Sequence, residues 1–226
     1  MKKIIFLVFM SLYLVSCTTL PLTGIYGHNI ANNVEVNTLE SGFDISYSID
    51  FNIGKDAKND YISFTLYNTV HKYRLDFYAN KEIKKIITDV IALNEYVGQH
   101  GKKYGSEKIG TSLLYCYSFS GIDGNEEITR LDANADGKNA VEFSFLVKDK
   151  NTYLVLNKFH IKRIYGEQTL DDDVESIPFY YSDIKKLYDF MNNAEYIDKV
   201  RSEKKAELNA EQKVDVNTSA VDMINR

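Results

Sequence analysis

The chain has 226 residues, with 27 Lys and Arg against 32 Asp and Glu, no Trp and only two Cys. At 44% hydrophobic it can bury a substantial core without help from a metal or a disulfide. A formal charge of −5 gives no electrostatic reason to hold nucleic acid, whose phosphates require a basic surface, so no nucleic-acid partner is expected.

Met1, Lys2 and Lys3 precede an apolar run from Ile4 to Val15, softened only by Ser11 and Tyr13. A basic start followed by a short apolar stretch reads as a secretory signal, and the stretch is too short for a membrane span. It closes on Leu14, Val15, Ser16 and Cys17. This LVSC string resembles the lipobox of bacterial lipoproteins. The resemblance implies that residues 1–16 are a signal peptide cut just before Cys17, after the Cys17 thiol has received a diacylglyceryl group. The membrane is then reached through lipid on Cys17, and two or more acyl chains hold a protein stably where one does not. Losing the peptide removes Lys2 and Lys3 and no acid, so the mature chain is more acidic still. Residues 17–24, broken by Pro21, read as a tether. In the lipoprotein family of enteric bacteria an Asp after the Cys retains the protein at the inner membrane. Thr18 stands here, so the resemblance points to the outer membrane of a cell that has one.

From 25 to about 200 the chain reads as one globular domain rich in strands. Phe43, Ile45, Tyr47, Ile49 and Phe51 alternate with Asp44, Ser46, Ser48 and Asp50, the period of a strand with one wet face. Residues 61–67 and 72–78 continue the pattern as a hairpin. Asn80 is a good N-cap for a helix whose Ile83, Ile86, Ile87, Val90 and Ile91 share a face and which is expected to end near Gly98. Residues 98–110, with four Gly and three Lys, are expected as a loop. Strands follow at 111–119, 126–131, 141–147 and 152–164, then an acidic loop at Asp171–Glu175 and a strand at Ile177–Tyr181. Ser182 is expected to cap a second helix with Ile184, Leu187, Tyr188 and Met191 inward. The Lys, Glu, Asn and Gln of 201–226 read as a frayed, disordered tail.

The two helix entries resemble one another, Phe77–Tyr78–Ala79–Asn80 against Phe179–Tyr180–Tyr181–Ser182, and suggest two duplicated halves at 25–98 and 111–197. The expected class is α+β, an antiparallel sheet with two amphipathic helices packed on it. Four strands and a helix, twice, is similar in layout to PUR-type repeats, and that likeness of layout brings no function with it.

The sharpest chemical motif is Asp132, Asn134, Asp136 and Gly137 in LDANADGKNAVEF, which resembles the first half of an EF-hand calcium loop. The resemblance implies side-chain ligands from Asp132, Asn134 and Asp136, with Lys138 giving only its backbone carbonyl. The EF-hand acid of position twelve is missing, since Phe143 stands there; Glu142, one place early, or Asp123 of the preceding GIDGNEE turn is the candidate to complete a calcium site. The same residues also suit an ordinary tight turn between strands. No catalytic set is assigned, because His28, His71, His100 and His160 are scattered and no hydrolase or metalloprotease motif surrounds them. Cys116, left alone once Cys17 is lipidated, reads as a small buried hydrophobe. Seventeen Tyr are a heavy load, and those facing away from the core, such as Tyr67 and Tyr78, suit either a binding face for a protein or glycan partner or a second buried face. The expectation is a lipid-anchored cell-envelope lipoprotein whose soluble domain binds or scaffolds. The alternatives are an envelope hydrolase assembled from distant loops and a calcium-stabilised surface adhesin.

Overall fold

The computed structural model describes residues 26–54, 59–68, 72–101, 105–120, 126–129, 140–148, 150–165 and 168–224. The class is α+β. Strands β1 (Tyr26–Asn37), β2 (Asp44–Ile53), β3 (Asp60–Tyr67) and β4 (Lys72–Tyr78) lead into helix α1 (Lys81–His100). Then come β5 (Gly105–Ser120), β6 (Glu126–Thr129), β7 (Ala140–Lys148), β8 (Asn151–Leu156), β9 (Phe159–Tyr165), β10 (Gln168–Val174) and β11 (Ile177–Tyr180). Helices α2 (Tyr181–Met191) and α3 (Ala194–Ile224) finish the chain. The main sheet runs β1-β2-β3-β4-β5-β7-β8-β11 with neighbours antiparallel, and β6 adds to β5. Four strands precede α1 and seven lie between it and α2, so the order of elements does not show the duplicated halves expected at 25–98 and 111–197.

The sheet curls until its two ends share one core. Tyr47 of β2 meets Phe179 of β11 edge-on at 4.9 Å, Phe179 meets Phe64 of β3 at 4.7 Å, and Phe77 bridges Phe64 to Phe143 of β7. All five rings are fully buried. Helix α1 lies in the curl because Ile83, Ile86, Ile87 and Val90 recur at three and four and present one apolar stripe. Its start is fixed by Asn80 Oδ1, which accepts from the Glu82 and Ile83 amides, and its end by Gly101 in the left-handed region. A Cβ on Gly110 would sit 2.9 Å from Ile86 Cγ1, so the missing side chain at this bulge of β5 is what lets α1 approach so closely.

Several sequence expectations change. Strand β1 was not visible in the pattern because two irregularities, between Asn29 and Ala31 and between Ala31 and Val34, break its alternation. Asn33 takes φ 50° in that bulge, and its amide donates to Ser48 Oγ at 3.1 Å. The glycine-rich stretch is the end of α1, then β5 from Gly105, with 102–104 outside the described residues. The acidic stretch is strand, not loop: Asp171 and Asp173 stand opposite Lys162 and His160. That register continues unbroken from β8/β11 into β9/β10, so the two form one long hairpin interrupted at Asn157–Lys158 and Glu175–Ser176. Ser182 lies inside α2, whose cap position is Tyr180 with no side-chain bond. The stretch expected to fray from 201 continues as helix to Ile224, held to the body by buried Ile197 and Val200 and by Arg201, which bonds both oxygens of Asp60 at 2.6 and 2.7 Å. Among the described residues no helix is long and apolar enough to cross a membrane.

Candidate functional site

The curl does not close. Past Asn37 the β1–β2 turn leans on the start of β11, where the Leu39 amide donates to the Ser176 carbonyl at 3.1 Å. Glu40 strengthens the contact by accepting from the Ser176 amide at 2.8 Å and from its hydroxyl. Burial raises the Glu40 carboxyl, and its hydrogen bonds, led by the two from Ser176, together outweigh that and leave the group below its usual range. Deeper in the seam, the Tyr47 hydroxyl donates to Asp183 Oδ2 at 2.8 Å and accepts from the Tyr180 amide at 3.1 Å. Burial, then the Asp183 carboxylate, push that phenol well above its ordinary value. Lys186 pairs with the other Asp183 oxygen at 2.8 Å.

Beside these latches the sheet ends leave a cleft of about 360 Å3. Its floor is the outward face of β8 and β11. Tyr153 and Tyr180 stand opposite one another in register, with ring centroids 5.2 Å apart and planes tilted by 42°. Leu146 and Pro178 beside them are buried. Glu35, Asn37 and Asp44 of β1–β2 form one wall, and Lys148 and Asn151 of the β7–β8 turn stand on the other. The site therefore combines an aromatic floor with amide, carboxylate and ammonium groups at the rim.

The outward face of β1–β4 carries a different cluster. Asn29, Asp50, Ser63 and Asp76 fall in one cross-strand row. Ser63 Oγ donates to Asp76 Oδ1 at 2.6 Å, Arg74 Nε donates to the same oxygen at 3.0 Å, and Asn52 donates to Ser63 at 2.8 Å. Asp76 is 3% exposed, and burial raises its carboxyl above the ordinary value despite the attraction of Arg74. Ser63 and Arg74, which bond it, are its own neighbours on the sheet, so this row reads as structure. At one end Tyr61, Tyr78 and Tyr115 form a ring trio with centroids 4.2 to 5.5 Å apart. Tyr78, expected opposite the core, is part of it.

The residues singled out by sequence fare unevenly. Cys17, Asp123 and the calcium-loop residues Asp132, Asn134, Asp136 and Lys138 lie outside the described residues. The strands around that loop, β6 and β7, both pair with β5, and Thr129 and Ala140 stand opposite Tyr117 and Leu113. Glu142 is described, and both of its oxygens are engaged. Oε2 takes Lys108, and Oε1 accepts from Asn157 Nδ2 at 2.8 Å. The Lys108 bond, with help from Asn157, holds its carboxyl below the usual range. Among the described residues no three of His, Cys, Asp and Glu are placed to share a metal ion. Cys116 sits in β5 opposite Asp76. His28 stacks on Phe190 at 4.2 Å, His100 on Tyr96 at 4.1 Å, and His160 Nδ1 lies 3.0 Å from Asp173. The cleft residues escaped the sequence reading because they come from strands more than a hundred positions apart, and the Tyr load was their one visible trace.

No family model, no curated protein and no solved structure matches the chain.

Proposed function

We propose that this chain is a lipid-anchored cell-envelope lipoprotein whose folded domain works by binding, with the cleft between the sheet ends as its binding surface. The observation that carries the anchor is the run from Lys2 and Lys3 through the apolar stretch to Leu14, Val15, Ser16 and Cys17, which places charge, apolar length, small residue and thiol in the order lipidation requires. What supports binding is a concave site with an aromatic floor and polar groups converging on it. Lipid on Cys17 and a short tether, 17–24, then hold that site close to a membrane. The test is metabolic labelling with palmitate in a bacterial host. Label is expected on the wild-type chain and absent from Cys17→Ala; label that persists in the variant overturns the anchor.

A further inference from the structure

We propose that the cleft takes a neutral saccharide of one or two rings, a reading that rests on the binding function above. A pyranose offers two chemically distinct surfaces. One is a patch of aliphatic C–H groups that packs on an aromatic face; the other is an edge of hydroxyls, each both donor and acceptor. The cleft offers the complement of both. Tyr153 and Tyr180 supply aromatic surface on neighbouring strands, fixed by their strand register. Tyrosine has few torsions to freeze and keeps a polar tip, so it gives up little entropy when it serves as a platform. Around it Asn151 can both donate and accept, Asn37 accepts through Oδ1 while its Nδ2 donates to Asp44, Glu35 and the second Asp44 oxygen accept, and Lys148 donates. A ligand made of hydroxyls satisfies such a mixed rim; an apolar ligand of the same size would leave those groups facing it unpaired.

Charge narrows the class. Two carboxylates face one ammonium across the opening, so the rim is net negative and disfavours sulfated or uronate-rich chains. A nucleotide or other phosphate ester would want several cations or a helix N-terminus, and a single lysine supplies neither. The cleft, at about 360 Å3, lies at the small end of ligand sites, which run from about 300 to 1,000 Å3. That size suits a short saccharide segment rather than a long chain enclosed on all sides.

The experiment is calorimetric titration of the full-length protein in a zwitterionic detergent that carries no sugar. The probes are cellobiose, lactose and N,N′-diacetylchitobiose, with digalacturonate as the anionic counterpart. At least one neutral disaccharide is expected to bind with a Kd of about 1 mM or tighter. Tyr180→Ala is expected to weaken it at least tenfold. Asn151→Ala, at an exposed rim position, is expected to weaken it about threefold while the thermal midpoint stays within the scatter of ordinary surface substitutions. Silence from all three neutral sugars, tighter binding of digalacturonate, or affinity unchanged in both variants each overturns the saccharide assignment. Palmitate labelling is read on a different part of the chain. Sugar binding without label rejects the anchor alone, and label without sugar binding rejects the saccharide alone.

Discussion

The outward face of β1–β4 and the cleft at the sheet ends draw on the same residue types, yet they are opposite in character. On β2–β4 the polar groups bond one another: Asn52 to Ser63, Ser63 to Asp76, Arg74 to Asp76. Ser63 and Asp76 are 1% and 3% exposed. Around the cleft, Glu35, Asn37, Asp44, Lys148 and Asn151 are exposed and converge from two separated strand pairs, and among these described side chains only the bond from Asn37 Nδ2 to Asp44 stays within the rim. Buried polar groups that satisfy one another specify a register, whereas exposed polar groups around a hollow are available to a ligand. Polarity alone does not mark a site; what matters is whether the hydrogen bonds are already spent inside the fold.

The most severe way to break that contrast is to remove the carboxylate at the centre of the buried row. Asp76→Ala leaves Arg74 and Ser63 facing a void and is expected to cost about 2–3 kcal/mol, the scale of stranding buried hydrogen-bonding partners. Urea unfolding should show the midpoint fall with the slope unchanged. If the midpoint stays put, the row is a solvated surface and the distinction between the two faces collapses.

The latches that bring the sheet ends together come next. Tyr47→Phe keeps the ring on Phe179 but strips the hydroxyl from Asp183 and from the Tyr180 amide. Lys186 still pairs with Asp183, so the expected loss is smaller, about 1–2 kcal/mol. Hydrogen exchange locates it: the Tyr180 amide should lose protection while the Leu75 and Phe77 amides of β4 keep theirs. Uniform loss of protection would mean that the seam and the β1–β4 face are one cooperative unit.

How far these regions were legible in the sequence follows from how local their determinants are. The period-two run, the Asn80 cap and the isoleucine stripe of α1 are set by neighbours within a few residues; they are found in place from Ile45 to Phe51, at Asn80 and at Ile83, Ile86, Ile87 and Val90, while Phe43 stands exposed outside β2 and Ile91 is only half-buried. The bulges hid β1, since register shifts erase alternation without removing pairing. Asp171 to Asp173 read as a loop because acidic residues disfavour strands, yet the facing strand is basic and the hairpin continues the β8/β11 register. Ser182 suits a cap by its type alone, while the seam puts the cap two residues earlier, at Tyr180, whose amide is already bonded to Tyr47. The cleft was the least legible of all. Nothing near Glu35 or Asn37 in sequence announces Tyr153, and only the curl of the whole sheet brings them to one opening.

The smallest effect sharpens the comparison by sign. Burial raises the Asp76 carboxyl in the folded state, so the folded protein holds that proton to higher pH than the unfolded chain does. Stability contributed by the site is complete below the unfolded value of about 3.9 and declines as pH rises through the folded value. Asp76→Asn cannot titrate and keeps an acceptor for Ser63. The variant is therefore expected to gain on the wild type as pH climbs from about 4 toward neutrality. Glu40 at the seam is shifted the other way, so Glu40→Gln should lose ground to the wild type over the same climb. Thermal melts of the three proteins across that range read both slopes. Opposite slopes mean that desolvation governs the buried row and hydrogen bonding governs the seam. A Glu40-like slope at Asp76 would mean that Arg74 outweighs burial there, and the row would then behave as an exposed ion pair rather than a sealed one.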